Sequence, residues 1–256
     1  MSFTTVDLRP DFHEASLTAL VSIDSVLRMT DSTDHLVRSV NFMYYELASQ
    51  CEGRSSDDVF TTLNDFFFHN KKFRVAGTPV LLSHVVETRT GCGAALALLY
   101  IHLGQQLGLK LELVHWPLHS IVKWECQGKC NYVDLGENGK VLSEDELLQM
   151  INRHKDQVQS LTTRDAVLQY LTYLTFYYRQ EGELESLHKA LCIILTIEPE
   201  NMRYLAERAL LRREMGLIKD ALQDMKRYFS FNDEGSVRHE LIHIYEELKS
   251  RAPALT

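Results

Sequence analysis

The hydrophobic period of the chain changes at one residue, Gly108, and that change limits the folds open to it. Before it, Leu96, Leu99, Tyr100, Leu103 and Leu107 recur three and four apart, the stripe of a helix with a buried face. After it, Leu109, Leu111 and Leu113 alternate with Lys110, Glu112 and Val114, the period-two pattern of a strand. Gly108 stops the helix, as glycine does just past a last turn. Further strands are predicted over 120–125 and 131–135, joined by the turn Gln127-Gly128-Lys129. Asn138-Gly139 is a tight-turn dipeptide, and Ser143-Glu144-Asp145-Glu146 is a capping box that opens another helix.

Upstream, residues 11–72 read as three helices, carried by Ala19-Leu20, Ile23 and Leu27, by Leu36-Val37, Val40 and Met43-Tyr44, and by Val59-Phe60, Leu63 and Phe66-Phe67. The turn C-E-G-R-S-S around Gly53 separates the second from the third, with Ser56 as the expected N-cap. Gly77-Thr78-Pro79 begins an irregular passage into R-T-G-C-G, residues 89–93. Residues 1–160 are therefore expected to form an α+β domain: helices, a buried helix, then a small antiparallel sheet.

Beyond Thr162 only helical periodicity remains, and the chain repeats. Gly182 and Gly216 stand 34 residues apart, the tetratricopeptide period. Gly182-Glu183-Leu184-Glu185-Ser186-Leu187 aligns with Gly216-Leu217-Ile218-Lys219-Asp220-Ala221, Leu171 with Leu205, and Pro199 closes the first unit. The second unit has Asp233 in place of that proline, and Arg208 and Arg212 replace apolar positions, so the repeats are degenerate. Residues 161–256 are expected to form all-α tetratricopeptide-like helix pairs. Two units and a last helix, about 237–249, are too few for a free-standing solenoid, so this part is expected to pack on the first domain.

A net charge of −8 argues against general nucleic-acid binding, which needs a positive surface. The nearest basic cluster, Arg208, Arg212 and Arg213, is expected to be a solvated helix face. The longest apolar run, Ala94 to Ile101, falls far short of the ~20 residues of a membrane span. The N-terminal residues carry neither the basic nor the apolar stretch of a signal peptide. Five scattered cysteines suit reduced thiols, and the expected location is the cytoplasm.

Three motifs bear chemistry. Cys92 precedes an apolar helix, where the helix dipole favours a thiolate. His119 follows the first strand and Asp134 lies in Y-V-D-L, so nucleophile, base and orienting carboxylate occur in the order of a Cys-His-Asp triad. The bland alternative is that all three are ordinary residues of a helix-plus-sheet core. His239-Glu240-Leu241-Ile242-His243 matches H-E-x-x-H, which presents two imidazoles on one helix face for zinc. A third ligand is lacking nearby, because Glu246 and Glu247 follow too closely on the same helix, so no metal or other cofactor is expected. Cys126 and Cys130 flank the hairpin turn. They are read as free thiols, the alternatives being a bridge across the turn or half of a metal site. Trp116, Trp124 and Tyr132 are expected around the sheet.

The run Arg89-x-Gly91, the helix from Leu96 to Leu109, Pro117-x-His119, Asp134, then Asn138-Gly139 and a helix resemble the transglutaminase-like core. The match is closer to the bacterial SirB family, whose members join such a core to C-terminal tetratricopeptide-like repeats, and it covers nearly the whole chain. The resemblance implies a cysteine-protease-like fold for the first domain and a triad in the order Cys, His, Asp. It places the histidine on His119 and the aspartate on Asp134. Counted back from Gly108, the cysteine position falls on Gly93, one residue after Cys92. The SirB family usually has no cysteine there and tends to carry proline where this chain has Gly93. An offset of one residue turns a helical side chain by about 100°. Either the thiol is aimed away from His119, or the flanking glycines relax the backbone enough to recover the geometry.

The expected function is recognition of a protein or peptide partner in a regulatory role, with the catalytic apparatus altered or lost. The competing reading is a thiol peptidase, amidase or acyltransferase in which Cys92 attacks a carbonyl, His119 shuttles the proton and Asp134 orients the imidazole.

Overall fold

The computed structural model describes residues 16–28, 33–78, 80–114, 120–151, 158–231 and 239–251. Helices predominate among them, with one small antiparallel sheet. The chain divides into two compact units, one of residues 9–173 and one built from residues 174–256.

In the first unit α1 (Ser16–Arg28), α2 (Asp34–Cys51) and α3 (Ser56–Asp65) fall where the apolar spacing predicts helices. The N-cap of α3 is Ser55 rather than Ser56: the Ser55 hydroxyl accepts the Asp58 amide, and Asp57 and Asp58 sit in the first turn, complementing the helix dipole. Phe66–Asn70 continues α3 as a π-helix and buries Phe66, Phe67 and Phe68. Phe67 stacks on Phe73 at 4.2 Å and meets Tyr100 edge-on at 5.2 Å.

The passage expected to be irregular is ordered. A parallel pair, β1 (Arg74–Val75) with β2 (Thr90–Gly91), brackets the short helix α4 (Leu82–Thr88). Leu82, Val85 and Val86 give α4 its buried face, but so few residues cannot display a full helical period. Next comes α5 (Gly93–Gln106), in which every residue from Ala94 to Gly104 is buried, so it is the central helix of this unit.

Strands β3 (Lys110–Val114), β4 (Ile121–Cys126), β5 (Lys129–Asp134), β6 (Lys140–Ser143) and β7 (Ser160–Leu161) form one sheet in the order β6-β5-β4-β3-β7. The period-two pattern had not identified β6 or β7, which are too short to alternate visibly. Pairing of Leu111 with Trp124 and Leu113 with Val122 defines the face toward the helices, where Trp124 stacks on Phe60 at 4.0 Å. The other face carries Val114, Ile121, Tyr132 and Leu142, which pack on Leu147 of α6 (Glu144–Ile151). The predicted capping box is present: the Ser143 amide donates to Glu146 at 2.8 Å, and the Glu146 amide donates back to the Ser143 hydroxyl at 3.3 Å.

Among the described residues five helices follow: α7 (Thr163–Gln180), α8 (Leu184–Ile197), α9 (Met202–Glu214), α10 (Ile218–Ser230) and α11 (His239–Arg251). The division between the two units falls within α7. In the second unit α9 packs on α8 and α10, and α10 packs on α11. The turns at Gly182 and Gly216 match bond for bond. Glu183 N–H donates to Tyr178 O and Leu187 N–H to Glu183 O, just as Leu217 N–H donates to Arg212 O and Ala221 N–H to Leu217 O. Both glycines have left-handed φ, 70° and 77°, a conformation that costs other residues energy.

Candidate functional site

Cys92 is the N-cap of α5, with extended backbone (φ −65°, ψ 153°). It is 7% exposed. Burial pushes the thiol above its ordinary range, while the amides of Ala95, Val80 and Ala94, with its own, oppose that rise without reversing it. Burial therefore favours the neutral thiol over the thiolate.

The two glycines beside it are there for space rather than for backbone freedom. Neither is among the residues with positive φ. A Cβ on Gly91 would come within 2.6 Å of Val85 Cγ2. A Cβ on Gly93 would lie 1.8 Å from Ser120 Oγ and 2.6 Å from Ser120 Cβ. The first residue of α5 is thus pressed against the residue that leads into β4, and the Ser120 hydroxyl fills the volume a side chain there would need. Steric fit, rather than a left-handed backbone, accounts for both glycines.

Asp134 ends β5 and is almost fully buried. Its Oδ1 accepts the amides of Gly136 at 2.8 Å and Glu137 at 3.4 Å, holding the turn before β6. Asp134 pairs across the strands with Ile121, which belongs to the cluster facing α6. Ser120 links the two halves of the candidate site: its side chain meets Gly93, and its carbonyl accepts the Leu135 amide at 3.1 Å. His119, like Trp116, lies outside the described residues. Arg89, from the same sequence run, caps α4 in a left-handed conformation and lies over Phe73 at 5.0 Å. Burial lowers its pKa, and Glu46 opposes that.

The fold also places the remaining motifs. Cys126 pairs with Lys129 and Cys130 with Glu125, so by strand alternation the two thiols project from opposite faces of the hairpin and cannot bridge it. All five cysteines are free. H-E-x-x-H opens α11, where His243 is exposed. The neighbouring carboxylates are held by cations: Glu246 by Lys249 at 2.9 Å, Glu247 by Arg213 at 2.6 Å and Arg251 at 3.1 Å. Among the described residues no group of three His, Cys, Asp or Glu could hold a metal ion. Among the same residues, no helix is long and apolar enough to cross a membrane.

One reading of the sequence is overturned. Arg208 and Arg212 do not form a solvated face. Arg208 grips Asp224 with two hydrogen bonds, 2.9 and 2.7 Å, and Arg212 adds a third at 2.7 Å. Arg212 also donates to His188 Nε2 at 3.1 Å, and Arg208 to Cys192 Sγ at 3.4 Å. Asp224 is 1% exposed. The network joins α8, α9 and α10. Its sequence signal was a carboxylate at 224 in an otherwise apolar helix face, legible only once α9 and α10 are known to be antiparallel neighbours.

Comparison with known proteins agrees with this architecture. The transglutaminase-like superfamily matches residues 28–180. F-box only protein 21 of Pongo abelii is 25% identical over 257 aligned positions, 87% of this chain and 41% of that protein. The human protein of the same name is 27% identical over 155 residues, 52% of this chain and 24% of that protein. The UPF0162 protein of Xylella fastidiosa is 25% identical over 181 residues, 65% of this chain and 64% of that protein. The chain thus spans less than two thirds of the length of each of these relatives. No solved structure matches it at a significant level. With the matched residues covering more than half its length, the chain belongs to the transglutaminase-like superfamily.

Proposed function

We propose that this is a SirB-like bacterial cytoplasmic protein whose transglutaminase-like domain, residues 1–160, is catalytically degenerate and precedes tetratricopeptide-like helix pairs over 161–256. It acts by binding a protein or peptide partner in a regulatory role. The observation that carries this reading is the opening of α5. Position 93 has no room for a side chain beside Ser120, and the adjacent Cys92 is buried, which pushes its thiol pKa up. A nucleophilic cysteine needs the opposite, access and a lowered pKa. The matched turns at Gly182 and Gly216 support the repeat assignment. A chain carrying both Cys92→Ala and His119→Ala is expected to restore whatever deletion of the gene removes. Loss of rescue at unchanged protein level would contradict the reading.

The second reading is a thiol hydrolase or acyltransferase using Cys92, His119 and Asp134. One observation favours it: backbone amides from Val80, Ala94 and Ala95 act on the sulfur at a helix N-terminus, donors of the kind that stabilise a thiolate or an oxyanion. It requires those amides to outweigh burial when substrate is bound.

A further inference from the structure

The sheet carries an incomplete edge. Among the described residues β7 pairs only with Leu113 and Val114 of β3. At Thr162 the chain leaves the sheet, because the Thr162 hydroxyl accepts the Asp165 amide at 3.1 Å and its carbonyl accepts the Ala166 amide at 2.9 Å, opening α7. Among the described residues, Lys110, Leu111 and Glu112 are paired with β4 on one side and with no strand on the other. Along this edge runs a groove of about 850 Å³, walled by Leu98 and Ile101 of α5, the β3 edge and the first turn of α7. Its volume falls within the range of ordinary ligand sites.

We propose that this edge receives an extended peptide as an added strand, antiparallel to β3, with a basic–apolar–acidic core read in that order from its N-terminus. The proposal rests on the binding role argued above and gives that role a place and a chemistry. The Leu111 carbonyl accepts from Gln105 and the Leu109 amide donates to Gly104, so by the alternation of a strand Leu111 turns its N–H and C=O away from β4, toward the open edge. The Gln105 Nε2 donates to this carbonyl at 3.2 Å and so occupies the edge. The ladder can extend no further, since the Leu109 amide already donates to Gly104 O at 3.0 Å.

Three peptide residues thus have defined environments. The one opposite Leu111 exchanges both backbone hydrogen bonds and shares its face, directing its side chain toward Leu98 and Ile101. That residue is apolar. Its neighbours point to the other face, toward Glu112 on one side and Lys110 on the other. In the antiparallel direction the residue facing Glu112 comes first, so it is basic, and the one facing Lys110 is acidic. Both protein charges are available, because Glu112 and Lys110 are themselves exposed and their pairs with the part-buried Lys123 (3.6 Å) and with Glu125 (3.3 Å) are solvent-screened on their side. Strand addition of this kind draws affinity from the backbone and selectivity from alternate side chains.

The test uses the full chain and two fluorescein-labelled short peptides, one with lysine, leucine and glutamate at its centre in that order, the other with the two charges exchanged. Fluorescence anisotropy is expected to show binding of the first in preference to the second. Gln105→Ala, at an exposed site, frees the Leu111 carbonyl and should tighten binding about threefold, in the range of one net hydrogen bond. Gln105→Trp should abolish binding by filling the groove. Exchanging the protein charges (Lys110→Glu with Glu112→Lys) should reverse the preference, and hydrogen exchange of the Leu111 amide should slow when peptide binds. Equal affinity for the two peptides, no binding of either, indifference to Gln105→Trp or an unprotected Leu111 amide each overturns the proposal. Catalytic degeneracy is read separately, from the reactivity of Cys92.

Discussion

The two units bury polar groups in opposite ways. At the start of α5 a single thiol is buried among apolar neighbours and backbone amides, and its burial holds it neutral. Between α8, α9 and α10 two guanidinium groups are buried around one carboxylate, which accepts three hydrogen bonds from them. From the sequence, Cys92 stands as a candidate nucleophile of an altered or lost triad, and the arginines as a solvated helix face. A residue type at a helix start suggests chemistry, yet what the group can do depends on the partner that meets it.

The largest expected effect follows from breaking the second arrangement. Asp224→Ala leaves Arg208 and Arg212 buried without their carboxylate and should destabilise the helix pairs by about 3–5 kcal/mol. Urea denaturation followed by helical circular dichroism measures this. Replacing all three residues by apolar ones of similar volume should recover most of the loss, which sharpens the distinction between a pair that stabilises and one whose half is costly.

Next in size is Gly93→Ala. Its Cβ would meet Ser120 Oγ at 1.8 Å, and overpacking of this kind costs about 1–3 kcal/mol. Adding Ser120→Gly should restore much of the lost stability. If Gly93→Ala alone is neutral, the steric account of the α5 opening fails.

How much of this was legible beforehand depends on distance along the chain. The switch of period at Gly108, the capping box at Ser143 and the 34-residue spacing of Gly182 and Gly216 are local signals, and each falls in the expected element. The short α4 and the strands β6 and β7 were not legible, because so few residues carry no period. The packing of Gly93 on Ser120 and the grip of Arg208 on Asp224 join residues 27 and 16 positions apart, and no periodicity encodes such a meeting. Opposite projection of Cys126 and Cys130 required the strand register, which the hairpin sequence alone leaves open.

A smaller effect compares the two turns. Gly182→Ala and Gly216→Ala each place an alanine at positive φ with nothing within 4 Å of its Cβ, so only the backbone penalty acts, about 1–2 kcal/mol. Equal losses would support equivalent turns, whereas a large difference would argue against a repeat.

The smallest concerns pH. Burial first, then Arg212 and Arg208, lowers the pKa of His188, whose Nε2 accepts from Arg212. The unfolded chain therefore binds the proton more readily. Stability contributed by neutral His188 is present above the ordinary histidine range of about 6.5 and is lost as pH falls through it. His188→Gln should flatten that part of the stability profile.

The most direct measurement is the rate at which Cys92 is alkylated by iodoacetamide between pH 4 and 9, with the modified cysteine located by peptide mass, in the wild type and in His119→Ala. A buried, protonated thiol predicts a slow rate that rises only at or above the free-thiol pKa of about 8.5 and is unchanged by removing His119. A fast reaction persisting below pH 7, slowed in His119→Ala, would reveal a thiolate–imidazolium pair and contradict catalytic degeneracy.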